Sequence, residues 1–173
     1  EAHIENFRSV YGIAKAKSEI IDSISKGGTI ILNRDDKFFN YLSKKAKSYK
    51  LKILSFGHHK KSDVQIETII NKENYSKIFI NINNLIIDLE IRDLNIYNVL
   101  ASIAVLEVLK IDIKKIKARL KNFESPEGRG KKHSIIRYKK KFNLIDESYN
   151  ANPLSVKNAI NKLNLIKKEK FKK

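Results

Sequence analysis

The sequence predicts an α/β fold: a mixed sheet that carries a small antiparallel meander, followed by a second strand-to-helix unit. Three observations lead there. Residues 28–33 (Gly-Thr-Ile-Ile-Leu-Asn) and 51–56 are short apolar runs of the buried-strand type, and a helical pattern separates them. Strand–helix–strand order implies parallel pairing through a right-handed crossover. From Asp63 to Asp93 the texture changes to alternation, in residues 64–69, 78–82 and 85–91, with Asn83-Asn84 as the turn between the last two. Near the end, residues 141–145 close on an apolar run, and Val156, Ala159, Ile160, Leu163 and Ile166 then recur at helical spacing.

Composition bounds the function before any motif is read. A chain of 173 residues that is 42% hydrophobic can build a core, as one domain or one domain plus part of another. No apolar run reaches the roughly 18 residues needed to span a bilayer, and no basic-then-apolar leader opens the chain. It begins Glu-Ala-His rather than with methionine, which reads as an internal piece of something longer. Zero cysteines exclude disulfides and thiolate-ligated zinc and fit a reducing compartment, so a cytoplasmic protein is expected. Lys and Arg total 36 against 19 Asp and Glu, a net charge of +17 that on its face suggests nucleic acid or an anionic surface. Yet the lysines are spread through nearly every segment, few aromatics interleave with the basic runs, and no nucleic-acid signature is present. Neither a specific nucleic-acid partner nor membrane insertion is expected.

In chain order, residues 1–25 read as a loop entering a helix in which Val10, Ala14, Lys17, Ile21 and Ile24 share one face. Lys17 falls on that apolar stripe and Lys15 off it. A lysine among buried positions is either a snorkelling side chain whose ammonium reaches water, or a group whose charge burial suppresses for a purpose. Lys17-Ser18 mimics the end of a phosphate-binding loop, but Ala16 stands where that loop needs glycine, and the chain has no complete Gly-x-x-x-x-Gly-Lys-Ser/Thr. Asp36 is placed to cap the helix carrying Phe38, Leu42 and Ala46. No catalytic constellation sits in the meander.

Asn95-Ile96-Tyr97-Asn98 opens a helix through Leu109 that is apolar on nearly every side and is therefore expected to be central. Asn95 and Asn98 stand one turn apart, and their amides can both donate to and accept from a base edge. Helix capping by Asn95 is the alternative. A further helix over residues 113–120 turns Ile113, Ile116 and Leu120 inward. Residues 122–132 hold a proline and two of the six glycines, the best boundary in the chain, so 1–122 and 123–173 are expected as separate domains. Residues 133–138 and 141–145 read as strands. The loop Ile145-Asp146-Glu147-Ser148-Tyr149-Asn150-Ala151-Asn152-Pro153 then lies between strand and helix, where open α/β sheets put ligand-binding groups. Asn152 is expected to cap that helix and Pro153 to occupy its first turn; plain turn chemistry is the alternative for the rest.

From Asp146 to Pro153 this loop resembles the start of the C-terminal domain of the Mur ligases, in the branch that adds D-alanyl-D-alanine. The usual form there is Asp-Asp-Ser/Ala-Tyr-Asn-Ala-Asn-Pro. Glu1-Ala2-His3-Ile4-Glu5 and Gly12-Ile13-Ala14-Lys15-Ala16-Lys17-Ser18-Glu19-Ile20 resemble the family's Ala-His-Leu-Glu and Gly-Ile-Ala-Lys-Ala-Lys-x-Glu-Ile. Asn33-Arg34-Asp35-Asp36 is similar to its Asn-Ala-Asp-Asp. Residues 95–102 resemble its His-Asn-x-x-Asn-Ala-Leu-Ala-Ala, with Leu94 in place of histidine, and Gly128-Arg129 its Pro-Gly-Arg, with Glu127 in place of proline.

The resemblance implies that 1–122 is the C-terminal portion of a P-loop-type central ATPase domain, the phosphate loop lying upstream, and that 123–173 begins a Rossmann-like C-terminal domain. It implies ATP and Mg2+, with His3 and a carbamylated Lys17 directed to the metal, Asn95 and Asn98 on adenine, and Arg129 on the nucleotide phosphates. Asp146 and Glu147 become candidates for the ribose, and Tyr149, Asn150 and Asn152 for the nucleotide or dipeptide side of the cleft. Carbamylation is chemically coherent, since burial favours the neutral amine that attacks carbon dioxide, and the product is an oxygen donor of the kind magnesium prefers. The implied activity is ATP-dependent amide formation in peptidoglycan precursor synthesis. UDP-N-acetylmuramoyl-tripeptide is activated as an acyl phosphate and attacked by D-alanyl-D-alanine; the enzyme is a monomer, and these 173 residues alone are inactive. Two other readings stay open: another amino-acid ligase of the superfamily, such as folylpolyglutamate synthase, and a non-catalytic basic module for nucleic acid. The Tyr-Asn-Ala-Asn-Pro loop argues against the former.

Overall fold

In the computed structural model, which describes residues 9–165 apart from 73–74, 93, 124 and 150, the chain divides into two units. One is Tyr11–Phe123 and the other is built on Glu124–Lys173. His3, Asn150 and Ile166 lie outside the described residues.

The first helix, α1 (Val10–Ser18), departs from the expected stripe. It stops at Ser18 and tightens into a 3₁₀ turn over Glu19–Ser23. Ala14, Ser18 and Ile21 are buried, whereas Lys17 is exposed, as Lys15 is. A 3₁₀ turn advances three residues per turn instead of 3.6, so the inward line runs through Ser18 rather than Lys17. Ser18 tolerates burial because its Oγ donates to the Lys15 carbonyl at 2.6 Å.

Five strands follow in the spatial order β1 (Thr29–Asn33), β2 (Lys52–Gly57), β3 (Val64–Asn71), β4 (Ser76–Ile82) and β5 (Leu85–Ile91). The helix α2 (Phe39–Ser48) crosses between β1 and β2, which are parallel, with Ile31 opposite Leu54. Asp36 does not cap α2. Its Oδ1 accepts from the Phe38 N–H at 2.7 Å in a turn one step earlier, and the helix begins at Phe39. β2 and β3 are also parallel, although only residues 58–63 join them. They pair only through Phe56–Val64 and Gly57–Gln65, so β3 runs on past the end of β2 and needs no long crossover. The Ser55 N–H and hydroxyl both reach Asp63 Oδ2, at 2.7 and 2.6 Å, and pin this link. β3, β4 and β5 form the expected antiparallel meander, turned at Asn83 and Asn84 with φ of 52° and 64°.

Alternation along β1 and β2 splits the core between two faces. Ile30, Leu32, Leu51 and Ile53 meet Ile21, Phe39, Leu42 and Ala46 on one. Ile31, Leu54 and Phe56 join the apolar residues of β3–β5 on the other, against Val99, Leu100, Ile103 and Ala104 of α3 (Ile96–Val108). Each fully buried side chain of this size stabilises by about 1.5–3 kcal/mol, so this larger cluster dominates the unit. Only one face of α3 is buried; Val105 is exposed, as is Leu109 just beyond the helix, because the sheet offers a single surface. A 3₁₀ turn (Ile113–Ile116) and the short α4 (Lys117–Lys121) complete the unit, Asp112 Oδ1 capping the turn at Lys114 N–H.

The second unit is a hairpin of β6 (Lys131–Arg137) and β7 (Lys140–Asp146), turned by Tyr138 and Lys139 at positive φ, and the helix α5 (Pro153–Leu165). Among its residues whose burial is described the buried ones are Gly128 and Gly130, while Ile136 and Tyr138 are about four-fifths exposed.

Candidate functional site

In the larger unit the C-terminal ends of β1 and β2 and the first turn of α3 come together, the edge at which α/β sheets carry their chemistry. Asn95 has extended backbone, and its Oδ1 accepts from the N–H groups of Tyr97 at 2.9 Å and Asn98 at 3.3 Å. The amide oxygen is thus used as the helix cap, and the amide nitrogen is the end left to donate. Asn98 stands exposed on the same turn, its carbonyl held by the Ser102 hydroxyl at 2.9 Å. Capping and ligand binding are compatible here, since the cap fixes where the Asn95 amide points.

Asp35, just beyond β1, ties this turn to β2. Its Oδ2 accepts from the His58 N–H at 2.7 Å and the Tyr97 hydroxyl at 3.0 Å, and its Oδ1 from the His59 N–H at 2.9 Å. Partial desolvation pushes the Asp35 pKa up, but these three donors outweigh it and the carboxyl sits below its usual range. Desolvation, then the same carboxylate, raises the Tyr97 phenol. Gly57 lets the carboxylate in: its φ is +145°, and a Cβ there would lie 2.5 Å from Asp35 Oδ2. In the sequence Asp35 stands out only as part of a motif similar to Asn-Ala-Asp-Asp, and Tyr97 and Gly57 do not stand out as partners for it. A glycine closing an otherwise apolar strand was the available signal.

In the second unit two loops are laced together. Asp146 Oδ2 accepts from Gly128 N–H at 2.8 Å and Oδ1 from Ser148 N–H at 3.0 Å. Gly130 N–H donates to the Asp146 carbonyl at 2.7 Å, and Tyr149 N–H to the Gly128 carbonyl at 3.1 Å. Ser148, through side chain and backbone, and the Gly128 N–H hold the Asp146 carboxyl below its ordinary value. Gly128 has φ of +73°, and a Cβ on it would come within 2.8 Å of Tyr149 Cβ. The Arg129 guanidinium lies over the Tyr149 ring, 4.0 Å from its centroid. Stacking occupies the face of the guanidinium and leaves its in-plane N–H groups directed outward, the arrangement that pairs phosphate oxygens two at a time. Glu147 is exposed beside this loop. Asn152 caps α5 as expected: its Oδ1 accepts from Ser155 N–H and the Ser155 hydroxyl accepts from Asn152 N–H, both at 3.0 Å, with Pro153 first in the helix.

Lys17 is exposed in the last turn of α1. Among the described residues no group of three or more His, Asp or Glu side chains is placed to hold a metal ion. The described residues therefore do not by themselves make a magnesium site. Among them, too, no helix is long and apolar enough to cross a membrane.

Residues 1–106, which include the parallel pair, the antiparallel meander and most of the asparagine-capped helix, match a known family model, the Mur ligase middle domain. The chain belongs to the Mur ligase family. A curated relative, the UDP-N-acetylmuramoyl-tripeptide–D-alanyl-D-alanine ligase of Buchnera aphidicola subsp. Acyrthosiphon pisum, is 32% identical over 92% of this chain and 35% of its own length. Among solved structures, MurF from Acinetobacter baumannii is similar with a TM-score of 0.79 and 27% identity, over 96% of this chain and 35% of that one. MurF ligase from Thermotoga maritima, solved in complex with ADP, shares the fold with a TM-score of 0.75 at 23% identity, over 94% of this chain and 36% of that one. The chain thus spans about a third of the length of these proteins.

Proposed function

We propose that this chain is part of an ATP-dependent ligase that joins D-alanyl-D-alanine to UDP-N-acetylmuramoyl-tripeptide in peptidoglycan precursor synthesis. The observation that carries the reading is the loop over residues 146–153, laced to Gly128-Arg129 and spelled Asp-Glu-Ser-Tyr-Asn-Ala-Asn-Pro. Its weight is increased by the named relative at 32% identity. On this reading residues 1–122 belong to the central domain and 123–173 open the C-terminal one, in a monomer working in the cytoplasm.

ATP supplies the phosphoryl group that activates the substrate carboxylate for attack by the dipeptide amine, chemistry that depends chiefly on positioning and charge neutralisation. The Asn95 and Asn98 amides meet the hydrogen-bonding edge of adenine, and Arg129, held flat by Tyr149, pairs phosphate oxygens. Asp146 already accepts two backbone N–H groups, so it shapes the loop, and Glu147 offers its exposed carboxylate towards the ribose hydroxyls. Tyr149 and Asn152 serve the substrate side, Asn152 chiefly by starting α5 at a fixed point, and Asn150 is assigned there by the resemblance alone. His3 and a carbamylated Lys17 would ligate magnesium; that assignment rests on the resemblance, because Lys17 is exposed in α1.

The test uses the longer protein that carries this sequence. Lys17→Ala is expected to abolish turnover with the fold intact, since alanine suits a helix, while Lys15→Ala stays close to the parent. Parental turnover by Lys17→Ala would remove Lys17 from the reading and leave His3 alone for the metal.

A further inference from the structure

We propose that Asp35 is a positioning residue for nucleotide binding: acting through Tyr97, it sets the first turn of α3 and so aims the Asn95 and Asn98 amides. This rests on the reading above, in which those amides meet adenine.

A single carboxylate joins three segments here. Asp35 is fixed on its own loop by its N–H, which donates to Asn33 Oδ1 at 2.9 Å. It takes the two N–H groups just past the end of β2, those of His58 and His59, then reaches 62 residues along the chain to the Tyr97 hydroxyl. The Tyr97 ring is held from the side as well, edge-on to His58 with centroids 5.8 Å apart. Tyr97 is also the residue whose backbone N–H the Asn95 side chain accepts from. Any movement of Tyr97 therefore moves the Asn95 amide, and with it the adjacent Asn98. Tyr97 is half-buried and its ring joins the edge of the main core, so the brace connects the candidate amides to the rigid part of the unit.

The chemistry requires a carboxylate rather than any polar side chain. All three donors point at Asp35, two of them at Oδ2 and one at Oδ1. An amide in its place would turn an NH2 group towards at least one N–H or O–H and lose that contact. The closure also needs glycine at position 57, because any Cβ there would occupy the carboxylate's place. An ordinary structural brace would explain the contacts but would leave nucleotide affinity unchanged when loosened, which separates the two accounts.

In the longer protein, KM for ATP, kcat and melting temperature are measured for Tyr97→Phe, Asp35→Asn, the double variant and Asn98→Ala. The expected result is an ATP KM raised about fivefold by Tyr97→Phe and more by Asp35→Asn, with kcat and the KM values of the other substrates within about twofold. The double variant should be no worse than Asp35→Asn alone, because both act along one path. Asn98→Ala should raise the ATP KM by about tenfold or more. If Asn98→Ala has that effect while Tyr97→Phe and Asp35→Asn lower only the melting temperature, the positioning role is refuted and the adenine reading stands. If Asn98→Ala leaves the ATP KM unchanged, the adenine reading fails and the inference fails with it. Tyr97→Phe removes a single hydroxyl and decides the matter even if Asp35→Asn does not fold.

Discussion

The unit Tyr11–Phe123 sets its candidate residues over fully buried Ile78, Ile80, Leu89, Leu100 and Ile103, whereas among the residues of Glu124–Lys173 whose burial is described only two glycines are buried. Both carry residues for the same proposed task, and each fixes them differently. Asn95 and Asn98 inherit their position from a packed core, through α3 and the Asp35 brace. Arg129 inherits its position from a handful of backbone hydrogen bonds, a glycine at positive φ and one aromatic face. Geometry held by packing should fail globally when disturbed, and geometry held by loop lacing should fail locally.

The largest expected effect tests the packed half. Leu100→Ala empties a fully buried site between α3 and the sheet and should cost about 2–5 kcal/mol in denaturant unfolding. A loss below about 1 kcal/mol would mean that α3 is not the clamp described. Next comes Gly57→Ala, where an unfavourable φ and a collision with the Asp35 carboxylate combine; a loss of about 1–3 kcal/mol is expected.

Asp35 adds a pH signature. Its folded pKa lies below the ordinary aspartate value of 3.8, so the unfolded chain binds the proton first as pH falls. The contribution is complete above that ordinary value and is lost as pH drops through the lower folded one. The stability gap between the parent and Asp35→Asn should therefore be constant near neutrality and close in acid. A gap that widens on acidification would reverse the assignment. The smallest effect belongs to the laced half: Ile136→Ala, at an exposed hairpin position, should shift stability by no more than about 0.5 kcal/mol.

Elements and their order were legible in the chain because hydrophobic period and turn chemistry are local. Asn83-Asn84, Asn152-Pro153 and the apolar runs of β1 and β2 each formed what they encode. The burial of Lys17 was misread because the stripe assumed one pitch from Val10 to Ile24, and the helix changes pitch at Ser18. Asp36 was misread as a cap because Asx turns and N-caps share residue types and differ only in where the helix starts. The Asp35–Tyr97 link could not be read at all, since nothing in either segment announces a partner 62 residues away. In the second unit, Gly128 and Arg129 were singled out through their motif, whereas the lacing around them appears only once residues 128 and 149 are seen side by side.

The proposed function turns on which substrates the enzyme joins, and one assay addresses that. The longer protein carrying this sequence is given ATP with UDP-N-acetylmuramoyl-tripeptide and D-alanyl-D-alanine, and separately ATP with a folate and L-glutamate, and phosphate release is followed. Release that requires both components of the first pair, with none from the second, is the predicted result. Release with folate and glutamate, and none with the tripeptide precursor and D-alanyl-D-alanine, would contradict it.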